Sequence, residues 1–278
     1  MATKNKRDTI KFRKYIEKTK EIILDLVYQE KFLARRSIQI ILEENCNIWH
    51  TITWNAINEL VNEKKIRMAK YPPRSSRGVD SPVWVYRTDM RINEIKDEIS
   101  NNYMPLYRKF VTISREMGYY AQNIVEDALK KAKFNIISKE DCTRYFKGEL
   151  FPGRKKLDFI AYRDGVFYGI EVKNHISYPD LNKDILKPKK IADFHGVQFV
   201  MISRRLGYLS HEVFKNKGLY VEFENLIFDP QYSSLAEKIN EVFYYPVLCT
   251  KKPWGKLINK LKEIPIHHDK HFYRIGRI

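Results

Sequence analysis

Three ionisable residues, Asp158, Glu171 and Lys173, lie on either side of an Asp-Gly dipeptide in the segment 155–175. Two neighbouring carboxylates are a preferred ligand set for Mg²⁺, which fills its remaining positions with water and phosphate oxygens. A lysine beside them can donate to a phosphate or to an attacking water, and a bound cation stabilises the leaving oxygen. These residue types therefore favour phosphodiester hydrolysis.

The dipeptide Asp164-Gly165 predicts a two-residue β-hairpin turn, because both central residues of such a turn need positive φ. The turn fixes the strand register and predicts that Asp158 and Glu171 face each other, with Cβ atoms about 5 Å apart. Such a pair should repel unless a cation lies between its members. Strand alternation puts Asp158, Glu171 and Lys173 on one face. The opposite face is predicted to carry an apolar set, namely Leu157, Phe159, Ala161, Val166, Tyr168, Ile170 and Val172.

Asp158 followed by Glu171-Val172-Lys173 after a hairpin resembles the motif of the PD-(D/E)XK nuclease superfamily, although Leu157 stands where that family often has proline. The spacing looks most like archaeal Holliday junction resolvases and the restriction-type endonucleases related to them. The resemblance implies a bound Mg²⁺, with Mn²⁺ able to substitute, held by Asp158, Glu171 and the backbone carbonyl of Val172. It also implies that Lys173 orients or activates water and stabilises the charge of the transition state.

A helix is predicted over 118–134, and in the resembling family this helix usually brings a glutamate to the metal. Counting back twelve residues from Phe134 gives Gln122, and Glu126 follows one turn later on roughly the same face. Two interpretations stay open: Gln122 is a neutral ligand or water-holder, or Glu126 supplies the charge. Glu126 could equally be a solvated partner of Lys130, so the number of bound metals also stays open.

The N-terminal third has helical periodicity over 8–30 and 35–44, and a third helix begins near Thr51 or Thr53, either of which is a candidate N-cap. Strands follow at 66–71 and 83–87. Three helices and a basic-tipped hairpin resemble a winged helix-turn-helix domain, which implies a third helix in the major groove and a wing on the DNA backbone. A winged helix used for protein contact or dimerisation is the alternative. The matching positions are Thr51, Thr53, Asn55, Asn58 and Asn62 on the helix, and Arg74, Ser75, Ser76 and Arg77 on the wing.

The whole chain divides into a winged-helix domain at 1–90, a helical connector at 91–117, a nuclease-like core at 118–230, and C-terminal helices with a basic tail at 231–278. Within the connector and core, separate helices are predicted at 106–117 and 118–134, strands at 134–138, 197–203 and 219–223, and helices at 179–194, interrupted at Pro188, and 210–216. The predicted fold class is therefore α/β, with a mixed β-sheet flanked by helices in a restriction-endonuclease-like arrangement.

The loop before Asp158 contains Lys155 and Lys156, which are placed to meet a phosphate backbone or are simply solvated.

Charge and composition point to the partner. The chain has 278 residues and a formal net charge of +17, from 51 Lys and Arg against 34 Asp and Glu. Such an excess predicts a polyanionic partner, namely DNA, RNA or an anionic membrane surface, although lysine enrichment for solubility gives the same number. Beside a site suited to phosphodiester hydrolysis it favours nucleic acid, and DNA in duplex or branched form is the expected partner. Three widely spaced cysteines fit a reducing cytoplasm, and no apolar run is long enough to span a membrane.

Four functions remain compatible with these residues. The first is restriction-type or other defence-related cleavage of duplex DNA, and the second is a structure-selective nuclease acting on branched DNA. The third is a catalytically inactive DNA-binding regulator on a nuclease scaffold, and the fourth is a subunit that cuts only with partners. Since a double-strand cut needs two active sites, a homodimer is expected for either nuclease.

Overall fold

The computed structural model describes residues 2–72, 81–207, 218–267 and 273–275, with side chains at 12–72, 81–207 and 218–266. The chain forms two compact units. One comprises Met1–Thr112 with Lys238–Tyr245, and the other comprises Ile113–Glu237 with Pro246–Ile278. The connector predicted at 91–117 is thus divided between the units after Thr112, and the C-terminal segment predicted at 231–278 is divided as well.

The first unit combines helices with a small antiparallel sheet of order β1-β3-β2. The strand β1 was missed by sequence reasoning because it is a three-residue segment between two helices. A π-helical turn, Ile99–Tyr103, joins the last two helices. The elements are α1 (Ala2–Glu30), β1 (Phe32–Ala34), α2 (Arg35–Cys46), α3 (His50–Asn62), β2 (Ile66–Lys70), β3 (Val83–Arg87), α4 (Ile92–Glu98) and the start of α5 (Met104–Lys131).

The core of the first unit is built from the apolar faces of three helices and the sheet. Fully buried residues include Ile23 of α1, Ile38 of α2 and Ile57 of α3, which pack in one cluster with Val85 of β3. Burial of such side chains is worth roughly 1.5–3 kcal/mol each, which is why the helical periodicity predicts these elements well. The start of α3 was predicted wrongly, because the helix begins at His50 and neither threonine is its N-cap. The N-cap is Trp49, whose side chain makes no capping hydrogen bond.

The second unit contains the longer sheet. The elements that follow α5 in the chain are β4 (Asn135–Lys139), β5 (Tyr145–Phe146), β6 (Glu149–Leu150), β7 (Phe159–Arg163), β8 (Val166–Lys173), α6 (Lys187–Phe194), β9 (Gln198–Ser203), β10 (Leu219–Glu222), β11 (Leu226–Phe228), α7 (Ser233–Phe243), β12 (Val247–Cys249), α8 (Gly255–Lys262) and β13 (Tyr273–Ile275). All belong to the second unit except the part of α7 from Lys238 onward, which belongs to the first. Short 3₁₀ or π turns lie at Glu140–Arg144, Leu181–Leu186, Pro230–Tyr232 and Ile264–His267.

One sequence prediction about helices is wrong. The helices expected at 106–117 and 118–134 are one continuous helix, α5, because the isolated Gly118 is accommodated inside it at a cost of about 1 kcal/mol. The helical segment expected at 179–194 begins at Leu181 and changes from a π turn to α6 beside Pro188, where the interruption was predicted. The helix expected at 210–216 falls outside the described residues.

Six strands form a mixed sheet in the order β13-β10-β9-β8-β7-β4. Strand β7 is antiparallel to both of its neighbours, β4 and β8, whereas β9, β10 and β13 run parallel to β8. Helix α5 packs on one face, where Ala121 and Val125 meet Ile170, and α6 packs on the other, where Ile191 meets Ile160. The second unit is therefore a mixed α/β sheet flanked by helices, which confirms the predicted coarse class.

The β7–β8 hairpin has the predicted turn and register. Asp164 and Gly165 have φ of 50° and 83°, as the two-residue turn requires. The ladder runs from Arg163 opposite Val166 to Phe159 opposite Ile170.

The pairing slips by one residue just before β7. The backbone N–H of Asp158 donates to the carbonyl of Ile170, 3.0 Å away, and Ile170 is the residue that Phe159 already faces. The predicted direct pairing of Asp158 with Glu171 is therefore wrong. Leu157 is corrected as well, since the slip turns its side chain to the face of Ile160, where it is fully buried.

Gly169 of β8 lies where side chains from other segments pack closely against this strand. A Cβ atom at this position would come within 2.8 Å of Leu157, 2.9 Å of Val197 and 3.2 Å of Ala192. Glycine is therefore needed here for close approach and not for backbone conformation.

No helix in the described part of the chain is long and apolar enough to cross a membrane.

Candidate functional site

Asp158 is held by two hydrogen bonds at the point where the hairpin register slips. Its Oδ1 accepts from the side-chain amide of Gln122 on α5 at 2.8 Å, and its Oδ2 accepts from the backbone N–H of Val172 at 2.7 Å. Burial raises the pKa of the Asp158 carboxyl, although the charge of Lys173 and the bond from Val172 oppose that rise. The carboxylate is thus oriented by the neighbouring strand and by the helix.

Glu171 is the most deeply buried acid of the hairpin, with 4% of its surface exposed. Its Oε1 accepts from Lys173 Nζ at 2.5 Å, whereas Oε2 is buried and has no hydrogen-bond partner. Burial, together with the nearby charge of Asp158, raises the pKa of Glu171 to about 8. The two acids therefore interact although they are not directly paired across the strands.

Lys173 lies at the end of β8 and its side chain is 17% exposed. Burial lowers its pKa, but the carboxylates of Glu171 and Asp158 outweigh that effect, and the net result is a raised pKa. The ammonium therefore keeps its charge. We refer to Asp158, Glu171 and Lys173 as the acid–lysine cluster.

Gln122 and Glu126 differ in their contacts. Gln122 is the helix residue that touches Asp158. The carboxylate of Glu126 is bonded to Lys130 at 2.6 Å and to Lys139 at 3.1 Å. Burial alone would raise the pKa of Glu126, but the two lysines lower it. Glu126 thus pairs with Lys130 as the third interpretation expected, although its side chain is 12% exposed and therefore not solvated.

The two lysines upstream of Asp158 lie within electrostatic reach of the acids. Lys156 is bonded to Asp141 at 3.1 Å, and its charge lowers the pKa of Asp158. The charge of Lys155, an exposed residue, lowers the pKa of Glu171. The charges of both lysines therefore act on the two acids.

Asn174, which the sequence did not single out, fixes the end of β8. Its amide nitrogen donates to the carbonyls of Met117 and Ile227, at 3.1 and 2.8 Å, and its Oδ1 accepts from the N–H of Ile227 at 2.9 Å. The residue is buried. These three bonds hold the residue after Lys173 to α5 and β11. The only sign of this role in the sequence was its position directly after Glu171-Val172-Lys173.

The acid–lysine cluster has the donor set for one hard divalent cation. Within the described ranges no group of three or more His, Cys, Asp and Glu side chains could hold a metal ion. A cation would therefore depend on Asp158, Glu171 and the carbonyl of Val172, with water completing its coordination. The unpartnered Glu171 Oε2 fits this role, because a buried oxygen without a partner is costly and a cation would satisfy it.

The predicted DNA-contacting residues of the first unit have different surroundings. Thr51 is exposed, but Thr53 is fully buried, and its hydroxyl donates to the carbonyl of Trp49; Thr53 is a core residue and its predicted DNA contact is wrong. Asn55 and Asn58 are half-buried and line a groove beside α1. Arg74, Ser75, Ser76 and Arg77 lie outside the described residues.

Comparison with protein-family models, with curated proteins and with solved structures gives no match for this chain.

Proposed function

We propose that the chain is a Mg²⁺-dependent DNA endonuclease with a PD-(D/E)XK-like core in its second unit. Restriction-type or other defence-related cleavage of DNA is the class of activity proposed. The observation that carries the proposal is the acid–lysine cluster: the half-buried Asp158 just before β7, with the buried Glu171 and the charged Lys173 at the end of β8. One acid oxygen, Glu171 Oε2, is left without a partner.

The residues of the chain have separate roles in this proposal. Gln122 and the N–H of Val172 orient Asp158, so that its carboxylate is preorganised before any ligand binds. Bound between the two acids, Mg²⁺ would polarise the phosphate and lower the pKa of a water. Lys173 has three donor protons, of which one is used by Glu171, and another can be donated to a phosphate oxygen. Preorganised charge of this kind is commonly the largest contribution to rate enhancement.

DNA as the substrate is supported by charge. The chain carries 17 more basic than acidic residues, and Lys155 and Lys156 border the two acids. A polyanion that binds at these lysines gains binding free energy from release of its counterions as well as from direct pairing with the ammonium groups.

A winged-helix role for the first unit is supported by its element order. Helices α2 and α3 are followed by the β2–β3 hairpin, and β1 pairs with the outer side of β3. In the resembling domain the third helix enters the major groove, for which the exposed Thr51 and the half-buried Asn55 and Asn58 of α3 are the candidate contacts. Homodimer formation is part of the proposal, because one site cuts one strand.

The direct test is metal-dependent cleavage by the full chain and two variants of the cluster. We expect Asp158→Asn and Lys173→Met to reduce the cleavage rate on the order of 10³-fold, because each removes a charge that acts on the transition state. Binding to DNA without metal should stay near that of the unchanged protein. Asp164→Asn is the matched control, since Asp164 is exposed in the turn of the same hairpin and asparagine tolerates positive φ.

The assay should include supercoiled plasmid, a four-way junction and single-stranded DNA, each with Mg²⁺ and with Mn²⁺. Discrete plasmid bands would indicate a restriction-type enzyme, and paired nicks at the crossover would indicate a junction resolvase. Cleavage by Asp158→Asn or Lys173→Met at the parental rate would refute the assignment.

A catalytically inactive DNA-binding regulator is the second candidate, and one observation favours it. The helix position that usually carries an acid in the resembling family holds Gln122, and the nearby acid Glu126 is engaged by two lysines. Such a protein would bind DNA and cleave none of the substrates with either metal. A subunit that requires a partner would differ by gaining activity when the partner is added.

A further inference from the structure

A row of side chains on α5 leads from the acid–lysine cluster to the surface. Arg115, Tyr119 and Gln122 are spaced four and three residues apart, so they lie on one face of the helix. Gln122 touches Asp158 at 2.8 Å. At a rise of about 1.5 Å per residue, the backbone of Tyr119 is about 4.5 Å along the axis from that of Gln122. An aromatic side chain therefore lies one helical turn from Gln122, the residue that touches the proposed metal ligand Asp158.

Tyr119 presents its ring to solvent, with 47% of its surface exposed. The guanidinium of Arg115 lies 5.8 Å from the centre of the ring and donates to the tyrosine hydroxyl at 3.3 Å. This contact restrains the ring without covering it. The exposed face of the ring is therefore available to a planar ligand that stacks on it.

Lys156 precedes Asp158 by two residues in the chain, and Asp158 is the residue that Gln122 touches. The Lys156 side chain is 37% exposed, with the ammonium 3.1 Å from Asp141. Arg115, Tyr119 and Lys156 thus supply an exposed aromatic ring, a guanidinium in contact with it, and an ammonium on the segment that leads to Asp158. We call these three residues the α5 patch.

We propose that the α5 patch binds one unpaired nucleotide next to the scissile phosphate, with the base stacked on Tyr119 and the flanking phosphate held by Arg115 and Lys156. The inference rests on the proposed nuclease function and, within it, favours the structure-selective alternative, with DNA that has a single-stranded segment at the cut as the substrate. A basic groove interleaved with aromatic side chains is the arrangement by which proteins bind single strands. Paired bases in a continuous duplex have their faces covered by neighbouring bases, so only an unpaired base can stack on Tyr119.

The test uses binding by the full chain in the presence of a chelator, so that it does not depend on cleavage. The probes are oligonucleotides carrying 2-aminopurine in a single strand, in a flap next to a duplex, and in a continuous duplex. Stacking quenches 2-aminopurine fluorescence, and titration gives the affinity.

For the unchanged protein we expect quenching in the single strand and the flap. Tyr119→Ala should abolish it and weaken binding of those two probes roughly tenfold, with little change for the duplex. Tyr119→Phe keeps the ring and loses the hydroxyl, and it should bind like the unchanged protein. Tyr145→Ala is the matched control, because Tyr145 is a tyrosine with 60% exposure on the β5 strand.

The inference is overturned if no probe is quenched, if quenching persists in Tyr119→Ala, or if that variant loses affinity equally for duplex and single strand. These results are separate from those on the proposed function. Loss of cleavage in Asp158→Asn without any effect of Tyr119→Ala would refute the α5 patch alone, and stacking on a chain that never cleaves DNA would refute the nuclease alone.

Discussion

Two glutamates of the second unit each bond to lysine, yet their environments have opposite effects. Glu126 on α5 pairs with Lys130 and Lys139, whose side chains are 56% and 53% exposed. Glu171 on β8 pairs with Lys173 in the interior, and the two side chains are 5% and 17% exposed. The pKa of Glu126 is lowered by its lysines, whereas burial and the charge of Asp158 raise the pKa of Glu171 to about 8.

The difference teaches that an ion pair does not by itself make a site. At Glu126 two lysines compensate one acid near water, which is an arrangement worth little to stability and available for no further ligand. At Glu171 one lysine serves two buried acids, so the desolvation of the carboxylates is not fully compensated. Incomplete compensation of buried charge is typical of functional sites.

The largest expected effect that separates the two glutamates is on cleavage. Glu171→Gln should lower the rate of Mg²⁺-dependent DNA cleavage by about 10²–10³-fold, because it removes a charged metal ligand while keeping the shape of the side chain. The matched variant Glu126→Gln should change the rate by less than about twofold, since it alters only a surface ion pair. Cleavage rates measured at saturating Mg²⁺ and again across a Mg²⁺ titration check both expectations.

Equal losses in the two variants would show that α5 supplies the acid after all and that the comparison is wrong. A loss in Glu171→Gln that high Mg²⁺ restores would keep the metal assignment and limit the role of Glu171 to affinity.

The next effect is on stability and its dependence on pH without metal. An unfolded glutamate releases its proton near pH 4.3, whereas folded Glu171 keeps it up to about pH 8. The folded state therefore binds more protons in this window, and Glu171 makes the free energy of unfolding fall as pH rises through it. Glu171→Gln should remove this slope. Between about pH 5 and pH 8 the free energy of unfolding of this variant should therefore rise, relative to that of the unchanged protein, by an amount on the order of 2 kcal/mol.

Urea unfolding at several pH values, with a chelator present, measures this difference. The pH dependence expected from Glu126 has the opposite sign. Because its pKa is lowered in the folded state, Glu126 stabilises the fold at pH values above its unfolded pKa, and this stabilisation is lost as pH falls through the acidic range. Glu126→Gln should therefore lose about 0.5 kcal/mol near neutral pH. A parallel pH dependence for the unchanged protein and Glu171→Gln would contradict the buried position of Glu171.

The smallest expected effect concerns Gln122, which occupies the same helix face as Glu126 one turn earlier. Gln122→Glu would put a third carboxylate against Asp158, so repulsion should lower the melting temperature without metal by a few degrees, for about 1 kcal/mol. Added Mg²⁺ should then raise the melting temperature more than it does for the unchanged protein, since the cation neutralises an additional charge. Thermal unfolding with and without Mg²⁺ provides the measurement, and Asn123→Glu on the exposed side of α5 is the control.

An unchanged Mg²⁺ response in Gln122→Glu would indicate that residue 122 orients Asp158 and does not face a cation. That result would leave the metal ligands on the hairpin alone.

Local chemistry made much of the fold predictable. The Asp164-Gly165 turn has only one compatible hairpin geometry, so the ladder from Arg163 to Phe159 followed from two residues. The helices of the first unit followed from apolar periodicity, because their faces pack into one core. The short strand β1 and the parallel pair β11–β12 could not be predicted, since three-residue strands depend on partners that are remote in sequence.

The site was predictable in its members more than in its geometry. Asp158, Glu171 and Lys173 were found from residue type and spacing, but the slip at Asp158 depends on a single backbone bond to Ile170 that no propensity encodes. The partner of Asp158 could not be chosen between Gln122 and Glu126, because both lie on roughly one helix face and only the positions of Lys130 and Lys139 separate them.

Gly169 has a consequence for how this chain can vary. The position is two residues before Glu171, and the nearest atom to any added methyl group belongs to Leu157, which immediately precedes Asp158. A larger side chain would therefore displace Leu157, the neighbour of the residue whose backbone N–H makes the slipped bond to Ile170. The position of Asp158 relative to Glu171 would then change without any direct contact to either acid. Saturation mutagenesis selected for a working site should return glycine alone at this codon, whereas neighbouring exposed positions of the hairpin should accept many residues.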